Sequence, residues 1–270
     1  MRVIAYAHRG GADGAPENTM AAFERAVALG YTWLETDVHA TIDGVVVAFH
    51  DDRLDRVSDR RGLIAEMTYR EVCEADAGYW FTLDGGATHP FRGTGVTVPA
   101  IAEVLQRWPH VRVNIDAKAS RTVAPLMQLL RRLDAFSRVC LASFSDRRLA
   151  RMRRAAGPSV VTSMGGLAVT TAYTWSRVGR MPRLNARRVQ VPIHAGAMRL
   201  VDRRFVAAAH AAGLAVDVWT VNTEAAIHEA LDLGVDGVMS DRLELLKRVL
   251  IDCGRWENGA AMNPPLPEGR

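Results

Sequence analysis

Eight short runs of β-branched and apolar residues alternate along this chain with stretches that have the 3.6-residue periodicity of helices. The runs span residues 3–7, 33–38, 111–116, 139–143, 159–163, 188–192, 215–221 and 237–240. Neighbouring parallel strands need a long crossover, usually a helix, and parallel sheets are buried on both faces, which favours nearly continuous apolar runs. The alternation therefore predicts an α/β fold, and its eight repeats predict a (β/α)8 TIM barrel.

Seven helices are expected at residues 19–29, 101–108, 124–133, 147–156, 202–212, 223–233 and 243–251. Gly30, Gly213 and Gly234 follow three of them, where a left-handed C-terminal cap favours glycine. A chain of 270 residues with 49% apolar content can bury one substantial core, so we predict a single domain over residues 1–253. Residues 254–270 lack periodicity, which predicts a disordered tail.

An insertion interrupts the alternation at about residues 44–98, between the second strand and the helix that follows it. Residues 44–49 have the pattern of a hairpin strand after an Asp43-Gly44 turn, and they lead into His50-Asp51. One short helix is predicted near residues 69–76. Loops this long in compact domains are usually functional, so we interpret the insertion as a small subdomain that covers the substrate.

Charge and cysteine content narrow the classes of function. Only two of the 34 basic residues, Lys118 and Lys247, are lysines, and the arginines that produce the net charge of +4 are scattered. No basic stripe interleaved with aromatic residues is present, which argues against nucleic acid as a partner. The cysteines, Cys73, Cys140 and Cys253, have no disulfide or zinc spacing and are expected to be buried apolar side chains.

The sequence also allows a prediction of the cellular location of the protein. No stretch approaches the ~18 apolar residues of a membrane span, so integral membrane association is not expected. No secretory signal precedes the first strand, which predicts a cytoplasmic location.

Polar residues recur at the carboxyl ends of the first three predicted strands: His8, Glu35 with Asp37, and Asp116 with Lys118. In a (β/α)8 barrel these ends and the loops after them build one active-site mouth. Residues far apart in sequence should therefore converge there. Trp219, in the last part of the seventh strand, and Asp241, just after the eighth, occupy the corresponding positions.

Three carboxylates of this set are candidate metal ligands. Glu35 and Asp37 lie two apart on a strand, so their side chains point to the same face and repel unless a positive group lies between them. A hard divalent cation with oxygen ligands suits such a pair, and Asp116 on the next strand would add a third ligand. The alternative is a pair of surface acids bound to arginines.

The remaining candidates suit chemistry on a phosphodiester. His8 and His50 have the side chain whose pKa favours proton transfer in both directions near neutrality. Arg9 and Lys118 are suited to binding phosphate oxygens. Asn18 precedes a helix, so it either caps that helix or reaches the phosphate. Trp219 either contacts a glycerol backbone or lipid chain or packs in the core.

These motifs together resemble the glycerophosphodiester phosphodiesterase family. The resemblance covers most of the chain and includes His8-Arg9-Gly10, the run from Pro16 to Thr19, the run from Leu34 to Val38, His50-Asp51 and the run from Asn114 to Lys118. It implies a (β/α)8 barrel that hydrolyses a small-molecule glycerophosphodiester to glycerol 3-phosphate and an alcohol. It further implies Ca²⁺ or Mg²⁺ held by Glu35, Asp37 and Asp116, with His8 and His50 as general acid and base. The free glycerol hydroxyl is implied to attack phosphorus first, giving a cyclic phosphate.

Two departures from the family pattern leave alternatives open. The third metal position is usually glutamate, and Asp116 is shorter by one methylene. The residues after Ser143 and Ser240 also differ from the commoner family forms. A lysophospholipase D acting on lipids and a non-catalytic barrel that binds phosphorylated metabolites are the alternative functions. The choice of cation, the assignment of acid and base to the two histidines, and the oligomeric state stay open at this point.

Overall fold

The computed structural model describes residues 2–182 and 184–256, and its central feature is a barrel of parallel strands. The strands are β1 (Ile4–Ala7), β2 (Trp33–Ala40), β3 (Val46–Ala48), β4 (Arg112–Ala117), β5 (Val139–Ala142), β6 (Val161–Thr162), β7 (Arg188–Val191), β8 (His194–Ala195), β9 (Met198–Arg199), β10 (Ala215–Val218) and β11 (Gly237–Ser240). Eight of them pair in parallel in the order β6, β5, β4, β2, β1, β11, β10, β7. Arg187 N–H donates to the carbonyl of Thr162 (3.0 Å), which joins the two ends of this order. The predicted barrel is confirmed.

Helices cover the outside of the strands. They are α1 (Met20–Ala28), α2 (Tyr69–Cys73), α3 (Ile101–Arg107), α4 (Val123–Arg132), α5 (Asp146–Ala156), α6 (Gly166–Ser176), α7 (Arg203–Ala211), α8 (Glu224–Leu233) and α9 (Leu243–Asp252). The seven predicted barrel helices and the short α2 are present. Helix α6 was not predicted, because it carries threonine and apolar residues on most sides and so lacks a clear amphipathic period.

The insertion has a small core of its own. Strand β3 pairs antiparallel with the outer part of β2, with Val38 opposite Ala48. Beyond it, Phe49, Leu54 and Ile64 are buried together with α2, separately from the main core between the strands and helices. This packing holds the segment that carries His50 against the barrel.

One sequence expectation outside the site needs correction, and one stays a prediction. Of the predicted tail at residues 254–270, the structure describes residues 254–256, where the Trp256 ring packs edge-on against Tyr31 at 5.0 Å between centroids. Residues 257–270 lie outside the described residues. Cys140 is buried as expected, but Cys73 is only partly buried and Cys253, just after α9, is exposed.

Within the described residues, no helix is long and apolar enough to span a bilayer. The cytoplasmic location stays a prediction.

Candidate active site

One cavity of about 310 Å³ opens at the carboxyl ends of the strands. Its lining includes eight of the nine predicted site residues: His8, Arg9, Glu35, Asp37, His50, Asp116, Lys118 and Trp219. Glu35 and Asp37 lie on β2 and Asp116 on β4, whereas the others follow β1, β3, β4 and β10. The convergence expected from a barrel mouth is therefore observed.

A tight turn after β1 places His8 and Arg9. The backbone is left-handed at Arg9 (φ 51°), Gly10 (φ 82°) and Gly11 (φ 95°). A Cβ at Gly10 would lie 2.7 Å from the Ala22 Cβ on α1, so only glycine lets the turn pack this closely. The turn directs the side chains of His8 and Arg9 into the cavity.

His8 is held by a carboxylate on the far side of its ring. Its Nδ1 lies 2.6 Å from Asp241 Oδ1, and Asn222 Nδ2 donates to the other Asp241 oxygen (2.7 Å). Its Nε2 lies 3.9 Å from Glu35 Oε2. Burial acts to lower the pKa of His8, but the hydrogen bond to Asp241 and the charges of Glu35 and Asp241 outweigh it, so the pKa is raised. With Nδ1 engaged, Nε2 is the nitrogen available for proton transfer.

His50 is held in the same way from the insertion. Its Nδ1 lies 2.6 Å from Asp51 Oδ1, which leaves Nε2 available. Arg56 Nε donates to the other Asp51 oxygen (2.6 Å), and the pKa of Asp51 is lowered because this bond and His50 outweigh burial. His39 is buried, and its Nε2 lies 3.1 Å from the His50 carbonyl oxygen.

The three acids lie on two neighbouring strands. Asp37 on β2 stands opposite Asp116 on β4 in the parallel register. Lys118 Nζ lies between them, 2.7 Å from Asp37 Oδ1 and 2.8 Å from Asp116 Oδ2. Burial would raise the pKa of Asp37, but Lys118 and Arg9 lower it. Burial, and then the charge of Asp37, raise the pKa of Glu35 to about 7.

These acids fit a hard divalent cation by their chemistry. Asp116 Oδ1 is buried and has no hydrogen-bond partner, so one carboxylate oxygen has unused capacity. The donors are all carboxylate oxygens, which Mg²⁺ and Ca²⁺ prefer. In the described part of the chain, however, no three His, Cys, Asp or Glu side chains are already gathered as a metal cluster. Lys118 takes the position between Asp37 and Asp116.

Arg9 and Asn18 arrange the acids from the other side. The Arg9 backbone N–H donates to Glu35 Oε2 (3.0 Å), and its Nε lies 3.1 Å from Asp37 Oδ2. Asn18 is buried, with its Nδ2 donating to Asp37 (3.3 Å) and its Oδ1 accepting from Thr36 (2.7 Å). Asn18 therefore contacts a carboxylate of the site, and its phosphate role stays a prediction.

The site contains a clamp that the sequence analysis did not assign. The Arg56 guanidinium binds Asp51 with Nε and Glu17 with both terminal nitrogens (2.6 and 2.9 Å). Glu17 in turn accepts from Arg9 Nη1 (3.1 Å). The chain of ion pairs connects His50 in the insertion to Arg9 in the barrel. The contact of His50 with Asp51 could have been predicted, because the two residues are adjacent in the sequence. No sequence pattern connects Arg56 to Glu17.

We expect Arg56→Ala to lower kcat about 10-fold, because the orientation of His50, a predicted general acid or base, would no longer be tied to the barrel, and small misplacements of such a group are costly. Steady-state turnover of a glycerophosphodiester measures this. Arg53→Ala is the matched control, since Arg53 lies in the same insertion, is equally exposed and pairs with Asp55 rather than with Asp51 or Glu17. Wild-type turnover of Arg56→Ala would contradict this role of the clamp.

Comparison with known proteins places the chain in a family. The sequence profile of the glycerophosphoryl diester phosphodiesterase family matches residues 8–245. The chain belongs to this family. The predicted enzyme class, a phosphodiester hydrolase of the glycerophosphodiesterase type, is confirmed with it.

Individual relatives agree with this placement. A Mycobacterium tuberculosis protein named "Probable glycerophosphodiester phosphodiesterase 2" is 36% identical, over 94% of this chain and 93% of its own length. A glycerophosphodiester phosphodiesterase of Bacillus altitudinis is 31% identical, over 87% and 93%. A solved Oleispira antarctica phosphodiesterase, in complex with the product sn-glycerol-3-phosphate, is 26% identical with a TM-score of 0.75, covering 93% of this chain and 97% of that one.

Proposed function

We propose that this protein hydrolyses glycerophosphodiesters to glycerol 3-phosphate and an alcohol, with His8 and His50 as general acid and base. The observation that carries the proposal is the pair of histidine–aspartate contacts at one cavity, His8 with Asp241 and His50 with Asp51. The two histidines come from separate parts of the chain and both leave Nε2 free of these contacts. Phosphate binding alone would not need two oriented imidazoles.

The proton balance of the reaction needs both groups. In the order implied by the family, the free glycerol hydroxyl attacks phosphorus and loses its proton to one imidazole. The other imidazole gives a proton to the departing alkoxide, and a cyclic phosphate forms. Water then opens the ring, with the two imidazoles exchanging roles, which regenerates the enzyme. Asp241 and Asp51 stabilise the imidazolium form of their partners during these transfers.

We assign stabilisation of the negative charge on the phosphate to the positively charged groups around it. The planar guanidinium of Arg9 would donate hydrogen bonds to two non-bridging oxygens of the phosphate. The Lys118 ammonium would add a localised positive charge. Glu35, Asp37 and Asp116 would hold a divalent cation, which supplies Lewis-acid polarisation of a phosphoryl oxygen. Lys118, which pairs with Asp37 and Asp116 in the structure, would contact the phosphate at the same mouth of the barrel. Asn18 keeps Asp37 in position.

Chelation tests the metal part of the proposal. We expect EDTA followed by buffer exchange to abolish release of glycerol 3-phosphate from glycerophosphocholine, and Mg²⁺ or Ca²⁺ to restore it. Calorimetric titration of each ion into wild type and Asp116→Ala reports binding independently of activity, with weaker binding expected for the variant. Undiminished turnover after chelation would contradict the metal assignment. No release with any divalent ion would favour a barrel that only binds phosphorylated metabolites.

A further inference from the structure

Two uncharged amide side chains, those of Asn114 and Gln190, line the active-site cavity, and neither has a role in the reaction described above. Asn114 lies on β4 two residues before Asp116, so both side chains point to the same side of the strand. It stands opposite Glu35 in the parallel register, one layer deeper in the barrel than the pair of Asp37 and Asp116. Only 2% of Asn114 is exposed. The floor of the cavity therefore carries a polar side chain that is almost completely buried.

Hydrogen bonds fix which group of each amide stays free. Gln190 Nε2 donates to Asn114 Oδ1 (2.9 Å) and to Asp217 Oδ2 (3.1 Å), which uses both protons of this nitrogen. Asp217 is paired with Arg188 inside the barrel, and a carboxylate in such a pair only accepts, so Gln190 turns its nitrogen toward it. The groups left over are the Gln190 oxygen Oε1, an acceptor, and the Asn114 nitrogen Nδ2, a donor.

These two groups are open to the cavity. Among the described residues, neither Asn114 Nδ2 nor Gln190 Oε1 has a hydrogen-bond partner, and neither is sealed off from solvent. The hydroxyls of Ser143 and Ser163, which also line the cavity, already donate to backbone carbonyls (2.8 and 3.4 Å). Buried polar groups are nearly always hydrogen-bonded, so the free donor and acceptor are available to a ligand.

A site with one donor, one acceptor and no charge suits a hydroxyl group. A hydroxyl both donates and accepts, whereas the oxygens of an ionised phosphodiester only accept and are attracted to the cations Arg9 and Lys118. Neither amide can act as a base, so a hydroxyl bound there keeps its proton. It is therefore a different hydroxyl from the one that attacks phosphorus.

We propose that Asn114 and Gln190 bind the glycerol hydroxyl that takes no part in the attack, and that this contact selects against diesters without that hydroxyl. Arg188 and Asp217 are positioning residues, because they hold the Gln190 amide in the orientation that the contact needs. The inference rests on the proposed function, since another glycerol hydroxyl has to attack. A substrate without the hydroxyl leaves two amide groups unpaired, and sites of this kind discriminate strongly against such analogues.

The test compares choline release from glycerophosphocholine and from the 1-phosphocholine diester of propane-1,2-diol in matched configuration. The second compound keeps the hydroxyl next to the phosphate-bearing carbon and lacks only the third hydroxyl. The choline part of either diester has no free hydroxyl, so the comparison isolates the glycerol side. We expect kcat/KM of the wild type to be at least about 10-fold higher for glycerophosphocholine.

Two variants assign this preference to the amides. Gln190→Met has a side chain of similar length that cannot donate to Asn114 and accepts only weakly, so the preference should fall to within about threefold. Asn114→Ala removes the donor but keeps Gln190 on the ion pair, and it should lower the preference at least about threefold. Gln128→Met is the matched control, because Gln128 is exposed on α4 and does not line the cavity, and it should keep the full preference.

The ratio of the two substrates separates binding of the hydroxyl from general damage, which would slow both compounds equally. Circular dichroism checks the fold of each variant, and the wild-type comparison needs no variant. Equal kcat/KM of the wild type for both compounds would overturn the inference and leave the proposed function standing. An unchanged preference in Gln190→Met and Asn114→Ala, or an equal loss in Gln128→Met, would do the same. Hydrolysis of neither compound would overturn the proposed function and the inference together.

Discussion

His8→Ala and His50→Ala are each expected to lower kcat about 10²- to 10⁴-fold, the usual contribution of general acid–base catalysis. Each imidazole is oriented by a carboxylate at 2.6 Å. In the proposed mechanism, each serves one of the two proton transfers that phosphodiester cleavage requires. Release of glycerol 3-phosphate from glycerophosphocholine at saturating substrate, with Mg²⁺ or Ca²⁺ present, measures the loss. The combined variant should be little slower than either single one, because residues that act as a unit are not additive.

The control for these variants is a third histidine with the same kind of partner. His210, on α7 and partly exposed, has its Nε2 2.8 Å from Asp236 Oδ2, and it does not line the active-site cavity. His210→Ala should keep wild-type kcat. Circular dichroism of all three variants checks that the fold is retained. Folded His8→Ala and His50→Ala enzymes with wild-type kcat would refute the assignment of catalytic roles.

Asp217→Ala is expected to lower the free energy of unfolding by about 3–5 kcal/mol, because it leaves a buried guanidinium without its counter-charge. Arg188 and Asp217 pair inside the barrel through two contacts, one of them Nε to Oδ2 at 2.6 Å, and both residues are almost completely buried. Gln190 joins them, donating to Asp217 (3.1 Å) and to Asn114, which lines the cavity (2.9 Å). Urea unfolding followed by circular dichroism measures the change.

Two further variants test the cause of that instability. Arg188→Met/Asp217→Leu removes both charges and should recover much of the lost stability, since a buried ion pair is often replaceable by apolar residues. Glu224→Ala breaks the exposed pair with Arg248 and should cost at most about 1 kcal/mol. A loss of similar size for Asp217→Ala and Glu224→Ala would show that burial of the unpaired charge is not the cause.

Local patterns were sufficient for most of the elements. The predicted run at residues 188–192 corresponds to β7 and the run at 237–240 to β11, because buried parallel strands favour β-branched and apolar residues, here with polar interruptions. Helix α6 was not predicted, because its apolar and threonine residues are not confined to one face. A helix without an amphipathic period is positioned by its packing, which a sequence pattern does not show.

The sequence by itself determined which residues are available for chemistry and at which end of the strands they lie. Strand period and the parallel barrel place His8, Glu35, Asp37, Asp116 and Lys118 at one mouth, whatever the details of packing. Only the tertiary structure decided how they pair. The contacts of His8 with Asp241 and of Arg56 with Glu17 join residues 233 and 39 positions apart, and side-chain contacts at such separations depend on loop paths that no local pattern encodes. For the same reason the position of Lys118 between Asp37 and Asp116 appeared only in the structure.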